Sequence, residues 1–136
     1  MKNLTTSIYG KLTGSALASR IGTRLYKGRA PERADYPYIV FQIISDVPNN
    51  TFTENLEDIL IQFSLFSSTS GTTEVENMYT DLKTLYDECS MTIIGSTLLH
   101  MLRQNAILMT EDHTTPNGTV SVWHYAVTYE VKTKVG

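Results

Sequence analysis

Apolar residues near the start of the chain recur every four positions, at Leu4, Ile8 and Leu12. That spacing predicts a short amphipathic helix with a narrow buried face, weakened by Gly10. Gly14 and Ser15 interrupt it, and Ser15 is placed to cap a further turn that ends near Gly22. Residues 23–26 read as a short strand, followed by a loop over 27–36 that Pro31 and Pro37 punctuate. The clearest strand runs over 38–45. Ile39, Phe41 and Ile43 alternate with Tyr38, Val40, Gln42 and Ile44, which predicts cover on both faces. The segment 46–56 is polar and turn-rich, so it reads as a protruding arm between two strands of a hairpin. In the next strand, over 58–66, Ile59, Ile61, Phe63 and Leu65 share one face.

Thr73 and Glu76 have capping-box spacing. Val75, Met78, Tyr79, Leu82, Leu85 and Tyr86 then follow with helical period. This is the longest helix expected, with an acidic wet face and the Met and Tyr residues in the core. The stretch 89–98 follows no recognisable pattern. Residues 98–110 read as a strand with a bulge at Arg103, Gln104 and Asn105. A turn is expected over 111–118, ended by the favoured Asn117-Gly118 pair. A long half-buried strand over 120–131 then puts Trp123, Tyr125, Val127, Tyr129 and Val131 on one side. The expected architecture is α+β: a roughly four-stranded antiparallel sheet, with a short N-terminal helix and one longer amphipathic helix packed on it.

With 136 residues and 41% hydrophobic content, the chain is expected to form a single domain over 1–136. Cys89 is the only cysteine, which excludes an intrachain disulfide and suits a reducing compartment. No secretory leader is expected, and no run approaches the roughly 18 consecutive apolar residues of a membrane span. The N-x-Thr triplets at Asn3, Asn49 and Asn117 are therefore coincidental.

The net charge is −3, but its distribution is uneven. Residues 20–33 hold five bases (Arg20, Arg24, Lys27, Arg29, Arg33) against Glu32 alone, a local +4 that leaves −7 on the remainder. Acid gathers at Glu54, Glu57 and Asp58, along the longer helix, and at Glu111 and Asp112. Separated signs favour head-to-tail contact between copies or oriented docking on a partner.

Motifs of chemistry are missing from the sequence. There is no HxH, HExxH or CxxC spacing, no phosphate loop and no nucleophile elbow. His100 and His124 would share a metal only if strand register placed them opposite each other. Glu54, Glu57 and Asp58 lack calcium-loop spacing. No catalytic residue, cofactor or metal is expected. A basic patch this short, on an acidic chain, is a weak case for direct DNA binding.

Read in order, the pieces resemble the tail-completion proteins of long-tailed bacteriophages, also called tail terminator or tail-to-head joining proteins. A short N-terminal helix leads to Arg20-Ile-Gly-Thr-Arg-Leu-Tyr26 and Ala30-Pro31. Then come Pro37-Tyr-Ile-Val-Phe-Gln-Ile-Ile-Ser-Asp46, the strand ending Phe63-Ser-Leu-Phe-Ser67, the helix over 75–86, and Trp123-His-Tyr-Ala-Val127. The resemblance implies a non-enzymatic virion protein of the tail or neck, assembled in the host cytoplasm. It implies a hexameric ring at the head-proximal end that stops tube growth and docks on the head connector or head-closure protein. Its partners would be sibling copies, the tail-tube protein and the connector, with DNA at most passing through the ring and no membrane. Alternatives are another neck component (head-closure or minor tail subunit), a small-molecule domain or a DNA-contacting domain. The charge pattern places candidate contacts at Arg24, Lys27, Arg29 and Arg33 on one side. On the other stand Asn49, Asn50, Phe52, Glu54, Glu57 and Asp58, with the arm ordering on contact.

Overall fold

The computed structural model describes residues 2–31, 34–116 and 118–135. Three helices, α1 (Lys2–Leu12), α2 (Ala16–Ile21) and α3 (Thr73–Tyr86), accompany six strands. These are β1 (Leu25–Lys27), β2 (Tyr38–Pro48), β3 (Asn55–Ser67), β4 (Thr92–Ile93), β5 (Ser96–Thr115) and β6 (Gly118–Val135). They form one curled sheet in the order β1-β2-β3-β6-β5-β4. Only β1 and β2 run parallel; the other neighbours are antiparallel.

This corrects the expected four-stranded antiparallel sheet. The sheet is six-stranded and mixed, and it dominates the chain in place of the longer helix. The short strand expected over 23–26 is found as β1 and pairs parallel to β2, with Leu25 opposite Ile39. The two-residue β4, which folds back on Ser96 and Thr97, is too short to show an alternation. The polar run 111–115, expected as a turn, is instead strand. Thr115 pairs with Gly118 and Asp112 with Ser121, leaving a two-residue connection. Asn117, the first half of the expected turn signal, lies outside the described residues.

The central pair is β3 with β6, thirteen residues in unbroken register from Asn55↔Val135 to Ser67↔Trp123. Bulges fall on its two neighbours. In β2 the register shifts between Ile43 and Ser45, so Ile44 is extruded and half-exposed, contrary to the expected cover. In β5 it shifts at Leu98/His100 and again at Arg103/Asn105, the second where the sequence placed it.

All three helices cover one face. Leu4, Ile8 and Leu12 of α1, Leu17 and Ile21 of α2, and Val75, Met78, Leu82 and Tyr86 of α3 pack against Ile39, Phe41, Ile59, Ile61, Phe63, Leu65, Val127, Tyr129 and Val131. Phe63 lies at the centre, stacked on Tyr86 at 5.0 Å and edge-on to Tyr129 at 5.7 Å between ring centroids. The buried Tyr86 hydroxyl donates to the Ile8 carbonyl at 2.9 Å, tying α3 to α1. Asn3 and Ser7 of α1 donate to the Ile94 and Thr92 carbonyls, at 2.9 and 2.6 Å, and so hold β4.

Helix starts divide in their agreement with the sequence. Ser15 caps α2 by accepting from the Ala18 amide at 3.2 Å, as its type favours. At α3 the expected Thr73–Glu76 capping box is replaced. Thr72 is the cap residue, without a side-chain cap bond, and buried Ser67 donates to Glu74 at 2.7 Å.

Beyond Phe41 the outer edge of β2 has no strand partner among the described residues, and the same holds for β5 beyond Thr97. Leu99, Leu102, Ile107, Leu108 and Met109 are exposed along β5. Leu82 has no exposed surface. Leu82→Ala is expected to lower stability by about 2–5 kcal/mol, whereas Leu99→Ala should change it by no more than about 0.5 kcal/mol. Urea denaturation of both variants checks the contrast.

Candidate interaction surfaces

The sheet face opposite the helices carries a second, smaller apolar cluster. Tyr38, Phe66 and Val122 are buried there, with Tyr26, Ala30, Ala34, Tyr36, Val40 and Val120 packed around them. It exists because the outer-face positions at one end of β2 and β3 are apolar too, with Tyr38↔Phe66 a directly opposed pair of large rings there. Their centroids lie 5.0 Å apart, and Tyr36 sits 5.1 Å from Tyr38. Ala30 and Ala34, from the segment after β1, pack against these rings. Arg24 anchors the return of that segment by donating through Nε to the Pro37 carbonyl at 2.9 Å, while the Gly28 amide donates to the Phe41 carbonyl at 2.8 Å.

Between the loop and the sheet lies a cleft of about 560 Å³, whose lining includes Arg29, Ala34, Tyr36, Tyr38, Val40 and Phe66. At one wall Tyr36 Oη is 2.8 Å from His113 Nδ1, and His113 Nε2 is 3.0 Å from Glu111 Oε1. An ionised carboxylate only accepts, so a neutral His113 donates from Nε2 to Glu111 and accepts a hydrogen bond from the Tyr36 hydroxyl at Nδ1. The second Glu111 oxygen lies 3.1 Å from His124 Nδ1, without the alignment of a hydrogen bond. The His124 ring stacks on Phe66 at 4.5 Å. Burial pushes the Glu111 carboxyl up, but the contacts with His113 and His124 outweigh it and hold the group below its ordinary value. Burial, then the neighbouring Tyr36, raises the Tyr38 phenol, which stays a neutral donor.

A second surface lies at the far end of β2, where the expected arm is a folded hairpin tip. The Asn49 amide donates to the Leu56 carbonyl at 2.8 Å, and the Thr51 amide to the Glu54 carbonyl at 2.9 Å. Asn50 Oδ1 accepts from the Leu56 amide at 3.2 Å, and Asn49 Nδ2 donates to Asp58 at 3.1 Å. Phe52 stands fully exposed at the apex.

The residues singled out by charge fall into different roles. Arg24 holds the loop, as described. Arg20 pairs with Asp81 of α3. Lys27 and Arg29 have no ion-pair partner among the described residues, and Arg29 stands on the cleft rim. Arg33 lies outside the described residues. Glu54 and Asp58 are met within the chain by Lys134 at 3.4 Å and Lys132 at 3.7 Å. Glu57 has a carboxylate neighbour instead: burial, then the charge of Asp46, raises it. Asn49, Asn50, Phe52 and Glu54 are brought together at the tip, and Arg29 is at the cleft; Lys27, at the end of β1, does not line it. Tip and cleft occupy opposite ends of β2.

Sequence reasoning missed the cleft and its Tyr36–His113–Glu111 chain. Assigning 111–118 to a turn removed the strand geometry that aligns Glu111 with His113 and sets it beside His124. The i, i+2 spacing of Glu111 and His113 was the available signal. His100 pairs with Lys132 and His124 with Met109, so register keeps these two imidazoles apart. Among the described residues, no three His, Cys, Asp or Glu side chains are grouped to hold a metal ion.

A family model described as tail completion protein gp17 matches residues 6–130. Among solved structures, a chain from the virion of a native gene transfer agent particle superposes with a TM-score of 0.71 at 12% identity. The match covers 95% of this chain and 94% of that one. A second solved chain superposes with a TM-score of 0.55, also at 12% identity, covering 96% and 94%. At such identity both are likenesses of fold. No curated protein matches.

Because the Glu111 carboxyl is held below its ordinary value of 4.5, it stabilises the fold above that pH. Its contribution is lost as pH falls through the lower folded value. Glu111→Gln should therefore be less stable than the parent at neutral pH, and the gap should close on acidification below 4.5. Thermal unfolding across pH checks the direction.

Proposed function

The chain belongs to the tail completion protein gp17 family, and from that premise we propose that its copies close a ring at the head-proximal end of the tail. The protein is a structural component of the virion tail. In this role the ring stops growth of the tail tube and offers the surface that docks on the head connector. The observation that carries the reading is the family match over 6–130. The fold shared with a chain of a gene transfer agent virion supports it.

The physical features suit assembly. A ring of identical subunits needs two different patches that fit one another, repeated by rotation until they close. Lys27 and Arg29, without ion-pair partners among the described residues, stand at one end of β2. The like-charged Asp46 and Glu57 stand at the other. Such separated charge steers subunits into register and speeds encounter more than it tightens the contact. Apolar contacts must supply the affinity, and the exposed residues of β5, the cleft and Phe52 are available for that.

Two measurements test the reading. Labelled protein seen by electron microscopy should decorate the junction of tail and head, several copies per particle; a position elsewhere on the particle would refute it. The double reversal Lys27→Glu with Arg29→Glu should leave the monomer folded and reduce incorporation into tails by about tenfold or more. Incorporation equal to the parent would remove charge pairing from the mechanism.

A further inference from the structure

We propose that Phe52 at the β2–β3 hairpin tip of one copy seats in the aromatic cleft under the 28–37 loop of the next copy. This deepens the ring reading and rests on it. The tip is a preformed knob. Its backbone is held by the Asn49–Leu56 and Thr51–Glu54 bonds, and the only large apolar side chain it presents is Phe52, wholly in water. Holding the tip backbone in place beforehand reduces the freedom lost on binding.

The cleft is the matching hole. Tyr36, Tyr38, Val40 and Phe66 give it an apolar floor, and its 560 Å³ admits one aromatic ring. Tilted and edge-on arrangements of the kind already present among these rings would accept a further one.

A chain cannot fill its own cleft. Val40 lies on the cleft floor and Pro48 at the base of the tip, on one continuous strand. At about 3.3 Å per residue they stand roughly 25 Å apart. The contact therefore forms only between copies, and it is heterologous, since each copy gives a knob at one end and a hole at the other. The charges agree with this direction. Arg29 lines the hole, and the like-charged Asp46 and Glu57 lie at the base of the knob.

The test uses the full chain carrying Cys89→Ser, Phe52→Cys and Ala34→Cys, assembled into tails and treated with a short bismaleimide. A ladder of linked subunits, missing from either single-cysteine control, is the expected result. Many copies per tail without a ladder would overturn the seating and leave the ring intact. A crosslink from Phe52→Cys to a different tail or neck protein would overturn it too, by giving the knob another receptor. One copy per tail, counted by quantitative mass spectrometry, would overturn ring and seating together. If the paired thiols hinder assembly, Phe52→Ala and the cleft-filling Ala34→Trp are compared in the native background. Each should weaken incorporation roughly 10- to 100-fold, and the double variant should be no worse than either. Additive losses, or none, would overturn the proposal.

Discussion

The unbroken pairing of β3 with β6 is the constraint from which the remaining geometry follows. Thirteen consecutive partners leave no residue to spare, so every side chain on these strands has its face decided. Ile59, Ile61, Phe63 and Leu65 meet Val131, Tyr129, Val127 and Tyr125 on the helix side. A slip of one residue would turn this row to the other face. The outer strands have more latitude, and the bulges are confined to them. Bulges bend a strand and re-aim its side chains. The arrangement is thus a rigid spine with adaptable flanks, and the candidate surfaces lie on the flanks.

What sequence could show divides along the same line. Helical and strand periods reveal α1, α3, β2 and β3, because each buries one face against the core and must repeat accordingly. The bulge at Gln104 was also legible, since Arg103-Gln104-Asn105 breaks an apolar run. Three other features depend on partners distant in the chain. The strand character of 111–115 comes from pairing with 118–122, and a polar composition conceals it. The start of α3 is set partly by Ser67 reaching Glu74. β1, read from the sequence as 23–26, extends to Lys27 through its pairing with Phe41. The cleft required all of these at once: a loop returning over the sheet, an opposed Tyr38↔Phe66 pair, and the register that puts Glu111 between two imidazoles.

Charge shows the difference between counting and placing. A tally along the sequence counted Arg20 in the basic segment, put Arg24 with the interface cations, and put Glu54 and Asp58 with their anionic counterparts. In the fold, Arg20 is engaged by Asp81, Arg24 by a carbonyl, and Glu54 and Asp58 by the two lysines of β6. Exposed pairs of this kind add little stability. They do decide which charges remain uncompensated, and that smaller set is what another molecule would sense.

The open margin of β5 has a consequence of its own. A long strand with no second strand partner beyond Thr97 among the described residues, and Ile107, Leu108 and Met109 in water, is a template on which stray chains can add. Before a virion takes it up, each molecule therefore carries a route to disordered clumping. The two kinks along that margin, with Arg103 and Gln104 at the second, interrupt the flat template and act as guards. The same margin that is useful for joining is thus a solubility hazard while the protein waits. A cell making it in excess of its partners would be expected to accumulate insoluble material.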